Sequence, residues 1–573
     1  MNGWTKRAGF GIQIGRRRIL GLAAGGAAAG ILAACGGNDV ATSPAGGAAT
    51  SAPAGGTTRP TSQGQVTIIT PTSAPAMTTS APAATAGATT AATSAMSAPT
   101  GASSTAITMM RPELKGNISL ARQFDPPLSG GKPDPRTTVF KDLLKQYQTE
   151  HPGVTIDLTE IPGTTATEIY QWVDTHFAGK NLATLVATYP EQTTTDVQEA
   201  NNTVPWVNLT SVLDGPSAYG APKWRDDIDP NLFLFTKFGL KNNYSLPFTT
   251  YKSAWVYNKD AWKKAGLTDA DEPKTWKQWF AVCDKLKAAG FIPIARQGDV
   301  QTLAHTSWIL MISLGRKQWD SLSGGGPFIS LQQKLDAVCG MKWTMDTPWS
   351  RAGWPALKKL ISYWNPGYST LKVNDVRQLW FEGKAVMIYE SQNFLALYDE
   401  AKAEGTTKFD LGAFPTPQPD ADTFGADIAM NAGRIADDGE RGITYGIPLA
   451  DLREKGKDAM GQAIAIDYLQ YMTSTKTQAQ YVKPGYDLPV NKNVKLEDPR
   501  FALFYQNQEQ IFYRDLFYFN NLSHADRPQW GQNFLAYLTD GESLDDYLKK
   551  GEQQLLAQGT IAARTANITI KCG

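Results

Sequence analysis

The chain has 573 residues, and its 55 Lys plus Arg against 54 Asp plus Glu leave a formal net charge of only +1. That balance argues against a polyanion such as nucleic acid as a partner. Aromatic residues are plentiful at 10%, with 16 Trp, 21 Tyr and 22 Phe, an excess worth following.

At the start of the chain Arg16, Arg17 and Arg18 lead into a Gly/Ala-rich apolar run that ends at Leu32-Ala33-Ala34-Cys35. The basic cluster reads as an n-region and Ile19 to Ala34 as an h-region, with small residues before a cysteine in place of an ordinary cleavage site. Residues 1–35 resemble a bacterial lipoprotein export signal. The resemblance implies that Cys35 is lipidated, that the segment before it is removed, and that the mature chain starts at the modified residue. Arg16-Arg17-Arg18-Ile19-Leu20 also resembles a twin-arginine motif, although no Ser or Thr precedes the arginines and Gly21 stands where a lysine is usual. As a membrane span the run falls short, because a spanning helix needs about 20 strongly apolar residues. The expected location is outside the cell membrane, at the surface or in the periplasm, held there by acylated Cys35. Stable anchoring of this kind takes more than one acyl chain.

Residues 36–110 are nearly all Ala, Thr, Ser, Gly and Pro, and up to Thr108 Asp39 and Arg59 are the only charged side chains. Such a segment has too little apolar surface to offset the entropy of ordering and reads as a flexible linker. Its reach is roughly 50 Å.

The body, residues 111–573, is too long for one ordinary core and suits two lobes. It opens as an alternating α/β chain. Asn117 to Arg122 predicts a short strand, and Val139, Phe140, Leu143, Leu144 and Tyr147 recur at helical spacing before the His151-Pro152-Gly153 stop. Val154, Ile156, Leu158 and Glu160 then alternate as a second strand. Strand, helix, strand with short loops is a βαβ unit, which implies parallel pairing and ligand sites at strand C-terminal ends. The first such end is Gln123-Phe124-Asp125. Leu182 to Thr188 predicts another strand, ending at Tyr189-Pro190-Glu191.

Trp276, Trp279, Phe280 and Leu286 fall at helical spacing and read as core. Asp226-Asp227 with Asp229 lacks the glycine and bidentate glutamate of an EF-hand loop and reads as a solvated acidic turn. Of Cys283, Cys339 and Cys572 one pair can form in an oxidising compartment, and Cys283 with Cys339 is the favoured one, although spacing alone does not fix geometry. His151, His176, His305 and His524 are scattered, without a zinc motif, a nucleophile elbow or a P-loop. No cofactor and no metal site is expected.

A run of motifs past the middle then carries a resemblance. Ser245-Leu246-Pro247-Phe248-Thr249-Thr250-Tyr251 is followed by Trp255-Val256-Tyr257-Asn258-Lys259-Asp260, by Ala265-Gly266-Leu267 and by Pro273-Lys274-Thr275-Trp276. These resemble the extracellular solute-binding proteins of bacterial ABC importers, in the sugar-binding group that includes maltose-binding protein. Phe381 to Met387 is similar to the family's Gly-Lys-Ala-Ala-Met strand, Phe414-Pro415-Thr416-Pro417 to its second hinge crossing, and Ala463 to Tyr481 to the helix before its late Leu-Pro element, here Leu488-Pro489.

The resemblance implies an α/β, two-lobe periplasmic-binding-protein type II fold with a hinge between lobes. Lobe 1 is expected at about 111–250 and 420–482, and lobe 2 at about 251–419 and 483–573. It implies a monomeric, lipid-anchored binding component that captures a small-molecule carbohydrate by hinge closure and passes it to the ABC permease subunits, with no catalysis. Contacts from both lobes are needed, because a ligand shifts the equilibrium only by its differential affinity for the two states.

Carried over position by position, the ligand-binding candidates are Phe124 and Asp125, Tyr189 and Glu191, and Thr249 and Tyr251 at the first hinge crossing. Trp308 faces either cleft or core. Where relatives show a Gly-rich turn ending in a stacking Trp, this chain has Glu390-Ser391-Gln392-Asn393, so Glu390, Gln392 and Asn393 offer hydrogen bonds instead. Asp427, Asn431 and Trp530 complete the set. Aromatic faces flanked by carboxylates and amides suit the apolar face and hydroxyl belt of a pyranose, so a sugar or oligosaccharide is the favoured ligand, ahead of polyols, glycerophosphate-like compounds and peptides. The alternative is a lipid-anchored carbohydrate-active enzyme or an adhesin. An enzyme needs an acid/base or metal set and an adhesin often shows repeats, and the sequence displays neither; paired carboxylates still leave a glycoside hydrolase formally open.

Overall fold

The βαβ opening forms as its periodicity dictates. The structure, a computed structural model, describes residues 113–124, 134–163, 166–188, 194, 196–237, 240–324, 329–433, 442–504 and 527–572. Strand β1 (Gly116–Gln123) is followed by the helix Pro135–Glu150, whose first turn is capped by the Asp134 side chain and opened by a proline. Phe140, Leu143, Leu144 and Tyr147 are its buried stripe. Strand β2 (Val154–Ile161) pairs with β1 in parallel, from Gly116 opposite Val154 to Gln123 opposite Ile161, and β3 (Leu185–Thr188) joins the other side of β1. Next in the chain, β4 (Leu246–Pro247) is an edge strand, and β5 (Thr249–Thr250) begins the passage to a second sheet.

That second sheet is built from β6 (Ser253–Asn258), β7 (Ile292–Ala295), β8 (Ala385–Ser391) and β9 (Leu411–Phe414), in the order β7-β8-β6-β9. The chain then returns as β10 (Thr444–Gly446), antiparallel to both β3 and β4, which completes the first sheet as β2-β1-β3-β10-β4. Finally β11 (Leu488–Pro489) pairs antiparallel with β5.

Each sheet is buried on both faces, as an α/β layer requires. In β1, Ile118 and Leu120 enter one lobe-1 core while Ala121 enters the other. In β6, Trp255 and Tyr257 enter the larger lobe-2 core while Ala254 and Val256 enter the smaller. This period of two is what a strand sandwiched between helices shows. Burying each such large apolar side chain contributes roughly 1.5–3 kcal/mol. Trp276 and Trp279 lie in the larger lobe-2 core, 2% and 1% exposed, on the helix Trp276–Ala288 that Thr275 and Gln278 start with a reciprocal capping box.

Three expectations are corrected. Cys283 is buried and free, and the disulfide joins Cys339 to Cys572 instead; Cys283 points into the core with the helix Trp276–Ala288, whereas Cys339 ends the helix Leu331–Val338 where the chain terminus arrives. The Phe414-Pro415-Thr416-Pro417 segment is no crossing: Gln418 exchanges backbone hydrogen bonds with Lys274 and Trp276, which keeps the chain on lobe 2. The helices Ala421–Phe424 and Ala426–Asn431 pack on lobe-2 helices, and the Gly433 amide donates to the Ser313 carbonyl at 2.8 Å, so the return comes after Gly433 and not at 420. The last crossing is also later than 482. Val490 lies in a lobe-1 core and Asp229 donates to its carbonyl at 3.0 Å, while Phe504 is the first residue past it buried in a lobe-2 core.

The described part of the stretch from Ser321 to Pro348, residues 321–324 and 329–348, belongs to lobe 2. Trp319 packs against Trp343 and Trp349 at 5.6 and 5.5 Å, and Glu552 of the helix Leu544–Thr565 accepts from the Met345 amide at 2.5 Å. Among the described residues no helix is long and apolar enough to cross a membrane. Residues 1–35, over which an export signal ending at Cys35 is expected, lie outside the described residues.

Candidate functional site

The three passages between the lobes meet at one place. Thr249 and Thr250 pair with Pro489 and Leu488, and the Gly442 amide donates to the Thr249 carbonyl at 2.8 Å. A Cβ on Gly442 would stand 2.8 Å from that carbonyl oxygen, which is why glycine fits here. Two glutamines hold the passages from behind. Gln392 accepts from the Lys252 amide through Oε1 at 2.7 Å and donates its own amide to the Lys252 carbonyl at 3.0 Å. Gln478 donates to the carbonyls of Phe248 and Met472 and accepts from the Val490 amide, all at 3.0 Å.

Over this junction opens a cavity of about 230 Å³. The end of β1 supplies Arg122, Gln123 and Phe124, and the end of β3 supplies Ala187 and Thr188. Thr249, Tyr251, Gly442 and Ile443 come from the crossings, and Asn393 enters from the end of β8 in lobe 2. Strand C-terminal ends and crossings thus converge as the open α/β sheet rule requires.

Arg122 is the dominant charge of the wall. It is 3% exposed, and its guanidinium donates to the hydroxyls of Tyr445 and Tyr481 at 3.2 and 2.7 Å while lying 4.2 Å from the Phe140 ring centroid. Burial works against its charge, and the two tyrosines outweigh that penalty, holding it above the usual arginine value. Burial pushes both phenols up, so they stay neutral donors and acceptors. Arg136 is engaged differently, gripping Asp134 through Nε and Nη2 at 3.0 and 2.8 Å and standing 3.7 Å from Asp487.

A second cavity of about 430 Å³ shares Arg136 and Asn393 with the first. Its walls include Arg377, Gln378, Ser391 and Glu400 of lobe 2 and Asp134 of lobe 1. Arg377 forms a bidentate pair with Glu390, Nε to Oε1 at 2.6 Å and Nη2 to Oε2 at 2.8 Å.

Of the candidates, Phe124, Thr249, Tyr251 and Asn393 come together around the first cavity. Glu390 is paired with Arg377, and Gln392 is wholly buried, its Oε1 accepting from the Lys252 amide and its Nε2 buried without a partner; neither residue borders either cavity. Asp427 is exposed and Asn431 bonds back to its carbonyl at 2.6 Å, on a short helix of lobe 2 that borders neither cavity. Trp530 is 5% exposed inside the lobe-2 core, packed near Gly551. Trp308 lies on the helix Val300–Leu314 with its side chain outside what is described, and Asp125, Tyr189 and Glu191 lie outside the described residues. Sequence reasoning missed Arg122, Arg136, Tyr481 and Asp487. Arg122 had left one signal, the single charged residue of a parallel strand whose middle positions are buried. Among the described residues no cluster of His, Cys, Asp and Glu is suited to a metal ion.

Residues 133–479 match the family of bacterial extracellular solute-binding proteins. The chain is 27% identical over 151 residues to the sn-glycerol-3-phosphate-binding periplasmic protein UgpB of Brucella suis, covering 26% of this chain and 32% of that protein. It is 50% identical over 67 residues to UgpB of Shigella flexneri, covering 11% and 15%. The chain thus spans about a third or less of the length of these curated relatives, 32% and 15%. Similar solved structures include a chitin oligosaccharide binding protein, with TM-score 0.57 and 15% identity over 78% of this chain and 99% of that one. Maltose-bound MalE3 of T. maritima matches with TM-score 0.54 and 17% identity over 77% and 98%. At these identities the likeness is one of fold, the two-lobed type II periplasmic-binding architecture.

Proposed function

Because this chain belongs to the bacterial extracellular solute-binding protein family, we propose that it is the substrate-binding component of an ABC importer that captures a carbohydrate between its lobes and delivers it to the permease. The observation that carries this reading is the cavity over the crossings, walled by Arg122 and Phe124 from lobe 1 and by Asn393 from lobe 2. A solute held there touches both lobes and favours closure by its differential affinity for the closed form. Phe124 and Tyr251 offer aromatic faces, and Gln123, Thr188 and Asn393 offer hydrogen bonds to hydroxyls. Lipidation at Cys35 would keep the protein at the membrane, with the linker giving the lobes reach to the permease.

A thermal-shift screen of the full chain against mono- and oligosaccharides, polyols and amino acids tests the reading. One carbohydrate class is expected to raise the midpoint, because it binds only the folded form. Tyr251→Ala is expected to weaken that ligand by about tenfold, the worth of one aromatic face or hydrogen bond in a site. No shift with any solute, together with breakdown of polysaccharide by the same preparation, would move the function to a carbohydrate-active enzyme.

A further inference from the structure

The charge of the solute follows from Arg122, given the binding reading above on which this inference rests. Buried arginines are almost always paired with an acid. Arg122 has none among the described residues: its partners are the Tyr445 and Tyr481 hydroxyls and the ring faces of Phe140, Phe124 and Phe248 at 4.2, 5.2 and 5.3 Å. Its Nε is buried without an acceptor. Among the described residues the cavity's own acid, Asp487, stands 3.7 Å from Arg136, which also pairs with Asp134, and neither acid is in ion-pair contact with Arg122. Hydroxyl dipoles and aromatic faces ease the burial of a cation but bring no carboxylate into contact with it, so the guanidinium keeps its charge at the cavity wall. In a wall of low polarizability that charge projects into the cavity it borders, where an anion is attracted far more strongly than in water.

We propose that Arg122 makes the cleft selective for a polyhydroxylated solute that carries an anionic group, a carboxylate or a phosphate. A uronate and a sugar or polyol phosphate present the same chemistry here, a hydroxyl-bearing skeleton with one acid. An arginine that served packing alone would affect stability when removed and leave the choice between neutral and acidic solutes unmoved.

Calorimetric titration of the full chain with matched pairs decides this: glucose against glucuronate, glycerol against glycerol 3-phosphate, and a neutral against an acidic trisaccharide. The acidic member of at least one pair is expected to bind about tenfold or more tightly than its neutral counterpart. Arg122→Met is expected to erase that preference and Arg122→Lys to retain it, with the pair that responds telling carboxylate from phosphate. Neutral members that bind as well as acidic ones, or a preference that survives Arg122→Met, overturn the inference and leave the carbohydrate reading standing. Failure of every compound to bind overturns that reading and this inference with it. Should Arg122→Met not fold, the comparison within pairs on the unaltered chain still decides.

Discussion

At the scale of single residues, the polar side chains that looked most like ligand groups are the ones the fold consumes. Gln392 has the right chemistry for hydroxyls, yet its Oε1 accepts from the Lys252 amide where the lobes join, as the Oε1 of Gln478 does from the Val490 amide, and a buried backbone group left unpaired costs roughly 1–3 kcal/mol. Gly442 shows the same tightness without polarity. Because an added Cβ would stand 2.8 Å from the Thr249 carbonyl oxygen, Gly442→Ala is expected to lower stability by about 1–3 kcal/mol, the range for overpacking a close contact. Urea denaturation of the variant measures it, and an unchanged midpoint would mean the crossings slide apart freely. Phe124, Thr249 and Tyr251 were legible because a strand end and a hinge segment can be read locally. Arg122 was legible only as an oddity, since its tyrosine partners stand 323 and 359 positions away.

At the scale of elements, local signals were followed wherever they were strong. Asp134 before a proline and an apolar stripe gave the helix Pro135–Glu150, and Thr275 with Gln278 started the helix Trp276–Ala288. The proline-rich run after β9 misled because a turn within a lobe and a crossing between lobes share the same residues; the backbone bonds from Gln418 to Lys274 and Trp276 decide between them. Cysteine pairing failed for a related reason. The helix Leu544–Thr565 packs beside the helix Leu331–Val338 and brings Cys572 to Cys339 across a separation of 233 residues. Reducing this bond is expected to cost about 2–4 kcal/mol, mostly by freeing the unfolded chain. Denaturation with and without dithiothreitol reads the loss, and coincident curves would show that packing of the terminal helix suffices by itself.

At the scale of the whole molecule, the two lobes have separate cores and meet over three narrow passages, an arrangement that permits hinge motion. If a solute closes them, saturating ligand should slow amide exchange both at Gln123 and Phe124 and at Ser391 to Asn393, on opposite walls of the cleft. Slowing confined to one wall would mean binding to a single lobe without closure. The sequence by itself determined the alternation of strand and helix, the solute-binding motifs around the first crossing and the need for two lobes, because periodicity, caps and turns act over a few residues. Tertiary structure alone decided which cysteines pair, where the second and third passages run, and that Arg122, without an acid partner among the described residues, borders the cleft. Each of these depends on which distant segments touch, and burial then sets whether a polar group is left for a ligand or used up inside the fold.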